Sequence, residues 1–310
     1  MKIVAIFFGM LLVAISIAGF GGMTLSGQEQ EDVRGAFLTS RPKTVEKTSN
    51  TGVTAKPNRR RPRTTTVKVS PPAKEVAKNT GKTESTPADK TSDARESKVT
   101  AQRIGIGLTL FTRDLNGLAV RVDPTHEFHK GDRIRLLLET NADGFLYVFD
   151  STDGGKPVMI YPNPELDEAG NFIQGHVPVE LPSSVASEER LRWLTFDEHA
   201  GMERLYLVFS REPLPKVPLE DDLINYCRYG NTKCPLSPDS DLWAQLQKEL
   251  EAPVKVYKAE KFGKAQTASE HEATTRGIGL SKDDPQPSLI TLKASSTTGL
   301  LVTTVDLIHK

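Results

Sequence analysis

From Ile104 onward the chain alternates between apolar and polar positions. In IGIGLTLF the residues Ile104, Ile106, Leu108 and Leu110 take every second place, the period of a strand with one buried face. LAVRV repeats the pattern with Leu118, Val120 and Val122 after Asn116-Gly117, a strong hairpin signal. Ile134, Leu136 and Leu138 then alternate with Arg133, Arg135 and Leu137, and the turn NADG leads into FLYVF. That run is apolar on both faces, which places it centrally in a sheet. STDGG turns the chain into VMIY, ending at Pro162. Further strands are expected in VPVEL (177–181), LRWLTF (191–196), RLYLVFS (204–210), VKVY (254–257), SLITLKA (288–294) and GLLVTTVDLIH (299–309). About eleven short strands with turn-rich connections predict an all-β domain over 104–310, an antiparallel β-sandwich that is Ig-like or related.

One helix interrupts this series. In SPDSDLWAQLQKELE, Ser237 is the expected N-cap with Pro238 at the first helical position, and Leu242, Trp243, Leu246 and Leu250 form one apolar stripe. Residues 215–252 are read as an insertion that caps the sheet. Lys261 to Gln286 is polar and is read as a mobile surface loop.

The N-terminus has a different pattern. Residues 1–27 carry Lys2 and no other charge, and Ile3 to Phe20 is nearly continuous apolar sequence before small residues. This is the layout of a signal peptide, with cleavage after Ala18 or Ser26. The run is also close to the length that spans a bilayer, so an uncleaved membrane anchor is the rival. Both readings export the rest of the chain to an extracytoplasmic space: periplasm, cell surface or medium. Residues 28–103 contain one aromatic, Phe37, and are dominated by Thr, Lys, Pro, Ser and Ala. Such a tract buries too little apolar surface to offset its ordering entropy, and it is read as a disordered basic linker.

Charge changes the picture only locally. The 40 basic and 40 acidic residues cancel, but residues 28–103 hold seventeen Lys/Arg against nine Asp/Glu. The basic cluster Arg59–Arg63 in NRRRPR is read as part of a soluble linker, and no nucleic-acid partner is expected. Cys227 and Cys234 in NYCRYGNTKC suit a disulfide in an oxidising compartment. Closing so small a loop is worth roughly 2.5 kcal/mol in the chain-entropy description.

No constellation for catalysis stands out. His126 and His129 flank Phe128 with Glu127 between them, too few ligands for a metal site, and none is expected. His199 and Glu203 in DEHAGMER are the alternative: an extracytoplasmic hydrolase site whose remaining members assemble only in three dimensions. The nucleophile-elbow, zinc-protease and phosphate-loop motifs are absent, and no cofactor is expected.

Several short motifs nevertheless form a pattern: Phe128, Gly131-Asp132, Gly144 followed by Tyr147, Asp153-Gly154, and Tyr161-Pro162-Asn163, then Gly201 and Glu203 in GMERLYLVFS, and the closing GLLVTTVDLIH. Together they resemble domain of unknown function 4384, a bacterial family. The resemblance covers most of 104–310 apart from the cysteine–helix insertion and the loop after Lys261. It implies a β-rich accessory module of exported or envelope proteins and supplies no catalytic residues. The expectation is therefore a non-catalytic module on a tether, binding an envelope protein or a glycan, and touching the membrane only if residues 1–27 stay attached.

Overall fold

The computed structural model describes residues 27–43, 103–166, 170–229, 234–294 and 298–310. The signal or anchor segment and the Arg59–Arg63 cluster lie outside the described residues, among which no helix is long and apolar enough to cross a membrane.

The alternating segments form two sheets. In the first, β1 (Ile104–Arg113), β4 (Arg133–Thr140), β8 (Val179–Leu181), β11 (Lys255–Lys258) and β12 (Leu289–Lys293) lie in the order β11-β12-β1-β4-β8. Two short strands, β2 (Ala119–Arg121) and β9 (Leu194–Thr195), join β1 and β4. In the second, β3 (Glu127–Phe128), β5 (Gly144–Thr152), β6 (Val158–Tyr161), β10 (Gly201–Ser210) and β13 (Leu300–His309) lie in the order β3-β13-β10-β5-β6, and β7 (Phe172–Ile173) pairs with β5. Every pairing is antiparallel except β3 with β13. The hairpin at Asn116-Gly117 joins β1 to β2, with Phe111 opposite Arg121. The NADG turn does something else. It carries the chain from the first sheet to the second, so β4 and β5 are not partners.

Period-two alternation decides what each face buries. Ile104, Ile106, Leu108 and Leu110 of β1 and Ile134, Leu136 and Leu138 of β4 share one apolar cluster with Leu146, Val148, Leu205, Leu207, Phe209 and Leu301 of the second sheet. The opposite face of the second sheet is apolar too. There Tyr147, Phe149, Tyr206, Val208 and Val302 pack under Leu223, Leu242 and Leu246. Two helices supply that cover, α2 (Glu220–Tyr229) and α3 (Ser240–Leu250), and the Cys227–Cys234 disulfide ties α2 to the segment before α3. The expected single inserted helix is thus a pair. The N-cap of α3 is Asp239, whose side chain accepts a hydrogen bond from the Leu242 amide at 2.9 Å, and Ser237 lies outside the helix. The carboxylate both satisfies a free amide and complements the helix dipole.

The outer face of the first sheet presents charge, and that charge is buried. Glu139 pairs with Arg41 at 2.6 Å, Arg121 pairs with Glu270, and Arg135 lies 3.5 Å from Glu180. Three segments cover these pairs, and two of them correct the sequence reading. The first is α1 (Gly27–Leu38) with its continuation to residue 43, inside the tract expected to be disordered. Val33 and Phe37, four residues apart on one helical face, pack with Tyr257, Ile290 and Leu292. Phe37 fits because β1 has no side chains beneath it: a Cβ on Gly105 would lie 2.8 Å from its ring. The second is α4 (Ala268–Arg276), inside the expected mobile loop. A Thr267–Glu270 capping box starts it and left-handed Gly277 ends it, while Glu270 reaches Arg121. The third is the connection after β8, where Trp193 stacks 4.0 Å from the Arg135 guanidinium.

The tether reading changes for residues 27–43. Pro42 accepts a hydrogen bond from the Lys282 amide, and Arg103 accepts one from the Asn141 side chain, two residues past Glu139. The described residues on either side of 44–102 thus both lie on one domain.

Removing one member of a buried ion pair strands the other charge. Arg41→Ala is expected to lower stability in urea unfolding by about 3–5 kcal/mol. Arg34→Ala, whose partner Glu31 is exposed on the same helix, is expected to cost less than about 1 kcal/mol. Equal costs for the two would contradict the docking of α1.

Candidate functional site

Strand register gathers several turns at one end of the two sheets. Thr152 at the end of β5 faces Glu203 near the start of β10, Gly201 faces His309, and His309 faces Phe128 of β3. Phe128 leads into the turn before β4, which begins beside the end of β1. This end carries seven of the twelve named family-motif positions, Asp153 and left-handed Gly154 among them, and each has a local physical role.

Phe128 is fully buried and stacks on Phe196 with ring centroids 4.8 Å apart. Gly131 adopts φ 90°, a conformation unfavourable for residues with a Cβ, and its amide donates to the Phe196 carbonyl. The Asp132 carboxylate closes the same turn by accepting from the His129 amide at 2.8 Å. Gly201 leaves room for Asp153, whose carboxylate accepts from the Met202 amide. Glu203 accepts from the Thr152 hydroxyl at 2.7 Å. The other five lie elsewhere and are equally structural. Gly144 passes against the Ser210 carbonyl and the Phe209 ring, and buried Tyr147 accepts from the Leu214 amide at 3.0 Å. Tyr161 donates to the Gly170 carbonyl, Pro162 follows it, and the Asn163 side chain accepts from the Glu165 amide.

The residues weighed for chemistry do not converge. His199 is exposed; its amide first, and its ring at 3.1 Å second, hydrogen-bond to Asp197 and hold that carboxyl below its ordinary pKa. Glu203 has its separate partner in Thr152. His126 meets Phe128 edge-on, His129 lies 3.9 Å from Asp132, and Glu127 is taken by Lys310.

One concave feature at this end is a cleft of about 350 Å³ lined by Arg113, Asp114, Leu115, Gly117, Gly131, Asp132 and Arg133. Two turns build it. Asp114 holds the first, its carboxylate accepting from the amides of Asn116 and Leu118, which leaves the Leu115 side chain fully exposed at the tip. Arg113 passes over Gly117 and reaches Glu189 at 3.3 Å. Among the described residues no carboxylate pairs with the Arg133 side chain. The cleft thus sets two guanidinium groups beside an apolar tip, together with the Asp114 and Asp132 carboxylates, which accept from backbone amides of their own turns. Sequence reasoning singled out Gly131 and Asp132 and passed over Arg113, Leu115 and Arg133. Their only signal is a basic residue where β1 ends and another where β4 begins.

Asp150 is the electrostatic anomaly of this end. It sits on β5 with one oxygen buried and without a hydrogen bond. Burial first, and the charge of Glu203 second, push its pKa up to about 6. A buried carboxyl of this kind costs stability once it ionises.

The arrangement defines a two-sheet, β-rich module with a charged cleft at one end, lined by two arginines and two aspartates. The family described as Domain of unknown function (DUF4384) matches residues 127–213, from β3 through β10, so the resemblance read from the motifs is shown over that segment. The match ends where the helical insertion begins and does not reach β1 or β13. No curated protein and no solved structure matched the chain.

Because the folded state holds the Asp150 proton to higher pH than the unfolded chain, stability is expected to fall as pH rises from about 4 to about 6, by roughly 2–3 kcal/mol. Asp150→Asn is expected to remove that loss, leaving the variant more stable than the parent at pH 7 and equal to it near pH 4. Urea unfolding at a series of pH values measures both, and a variant no more stable at pH 7 would contradict the assignment.

Proposed function

We propose that the chain is an extracytoplasmic β-sandwich module that binds an acidic segment of an envelope protein in the cleft between the β1–β2 hairpin and the turn before β4. The observation that carries this reading is the pairing of Arg113 and Arg133 with the exposed Leu115 in one concavity. Guanidinium groups bind carboxylates through two parallel hydrogen bonds. An apolar tip beside them suits a peptide better than a sugar, since no aromatic ring lines the cleft to stack on a pyranose face. Export rests on the uncharged apolar run after Lys2. If that run stays in a bilayer, only residues 21–26 separate it in sequence from the docked α1, too few for a long tether.

The rival hydrolase reading around His199 and Glu203 has less support, because His199 is exposed, Glu203 is half-buried, and the two have separate partners.

The test uses a fluorescent Glu- and Leu-containing peptide, with an oligouronate of equal charge as the glycan probe. The peptide is expected to bind with an affinity that falls with salt, and Arg113→Glu with Arg133→Glu is expected to weaken it at least tenfold. Equal binding by parent and double variant would remove the cleft from the account. Preferential binding of the uronate would replace the protein partner with a glycan.

A further inference from the structure

The segment that docks α1 also brings three side chains from distant positions into one line. The Ser40 hydroxyl lies 2.7 Å from Nε2 of His176, and Nδ1 of His176 lies 2.6 Å from a Glu139 oxygen. Ser40 follows α1, Glu139 stands on β4, and His176 follows β7. The imidazole and the carboxylate are buried, whereas Ser40 is exposed.

Hydrogen-bond bookkeeping fixes the roles. Arg41 donates to both oxygens of Glu139, at 2.8 and 2.6 Å, and holds the carboxylate still. A carboxylate only accepts, so Nδ1 of His176 must carry the proton. In the neutral ring Nε2 is then bare and able to accept from Ser40. The hydroxyl has a second acceptor, the Phe37 carbonyl at 3.0 Å, but the ring nitrogen is nearer. The His176 backbone is also unusual. It holds φ 62°, rarely adopted by residues with a Cβ, and is clamped by a hydrogen bond to the Thr140 carbonyl and another from the Leu280 amide, both 2.7 Å. Such strain persists only where the surroundings over-determine it. The Phe37 ring meets the imidazole edge-on and limits its rotation.

We propose that Ser40 is an activated nucleophile, with His176 as its general base and Glu139 as the group that orients the base, and that it takes small carboxylic esters. An oriented acid–histidine–serine line is the arrangement that makes a hydroxyl reactive at neutral pH. Ser40 Oγ bonds to the acyl carbon as its proton passes to Nε2. The ester C–O bond breaks, and the leaving alkoxide takes that proton and departs as an alcohol. Water, deprotonated by the same nitrogen, then adds to the acyl carbon and releases the acid, and Ser40 recovers its proton. The exposed position of Ser40 suits small, sterically open acyl groups.

The test treats the full chain with a fluorophosphonate probe, in which the same hydroxyl attacks phosphorus and expels fluoride, followed by peptide mapping. One adduct is expected at Ser40, formed at least a hundredfold faster than in the urea-unfolded chain and lost in Ser40→Ala, a change at an exposed site. His176→Gln is expected to slow labelling by a similar factor while far-UV circular dichroism stays the same. Labelling of the native chain no faster than of the unfolded chain, or an adduct that persists in Ser40→Ala, would overturn the proposal and leave these contacts as a purely structural lock on α1.

Discussion

A carboxylate removed from water needs a cation and a full set of hydrogen bonds, or it will not remain charged in the fold. Glu139 is in that position. It stands on a central strand whose other face belongs to the main apolar cluster, and its own face is covered. The cation arrives from almost a hundred residues earlier, with Arg41 gripping both oxygens while its remaining donors meet the carbonyls of Ser281, Asp284 and Pro285. One ionic contact therefore joins the N-terminal helix, the first sheet and the segment after α4. The alignment of Ser40 with His176 follows from it.

The two sheets solve their outer faces in different ways. The second sheet is apolar outside and takes a helical pair stapled by a disulfide. The first sheet is charged outside and takes three separate covers, each bringing or burying an opposite charge. Apolar burial is tolerant of detail, whereas a buried ion pair fails if its geometry is lost. The outer face of the first sheet is thus the more exacting part of the fold. The arginine-bearing cleft at the end of the two sheets lies apart from these buried pairs, with one arginine carrying only a weak surface partner and the other without a carboxylate pair among the described residues.

The strands were legible because period-two alternation is a local signal, and the α3 stripe because Leu242, Leu246 and Leu250 repeat at helical spacing. The covers of the first sheet were not. Val33 and Phe37 are two apolar residues in a polar tract, and what holds them is a contact from Arg41 to Glu139. The Thr267–Glu270 capping box was readable in principle, but α4 buries little more than Ala273 and Glu270, so periodicity carried no trace of it. Glu139 and His176 look unremarkable one at a time, since their meaning lies in pairings 37 to 136 residues apart. The cleft shared that difficulty: Gly131 and Asp132 announced a turn, while Arg113 and Arg133 became a pair only once β1 and β4 lay side by side.

The central claim is that residues 27–43 are part of the domain rather than the start of a free linker. Native-state hydrogen exchange on the full chain tests it most directly. The account predicts that the amides of Val33 to Leu38 are protected and exchange in the same opening event as those of β4 around Glu139. Exchange of those amides at the rate of an unstructured peptide, with β4 still protected, would contradict it.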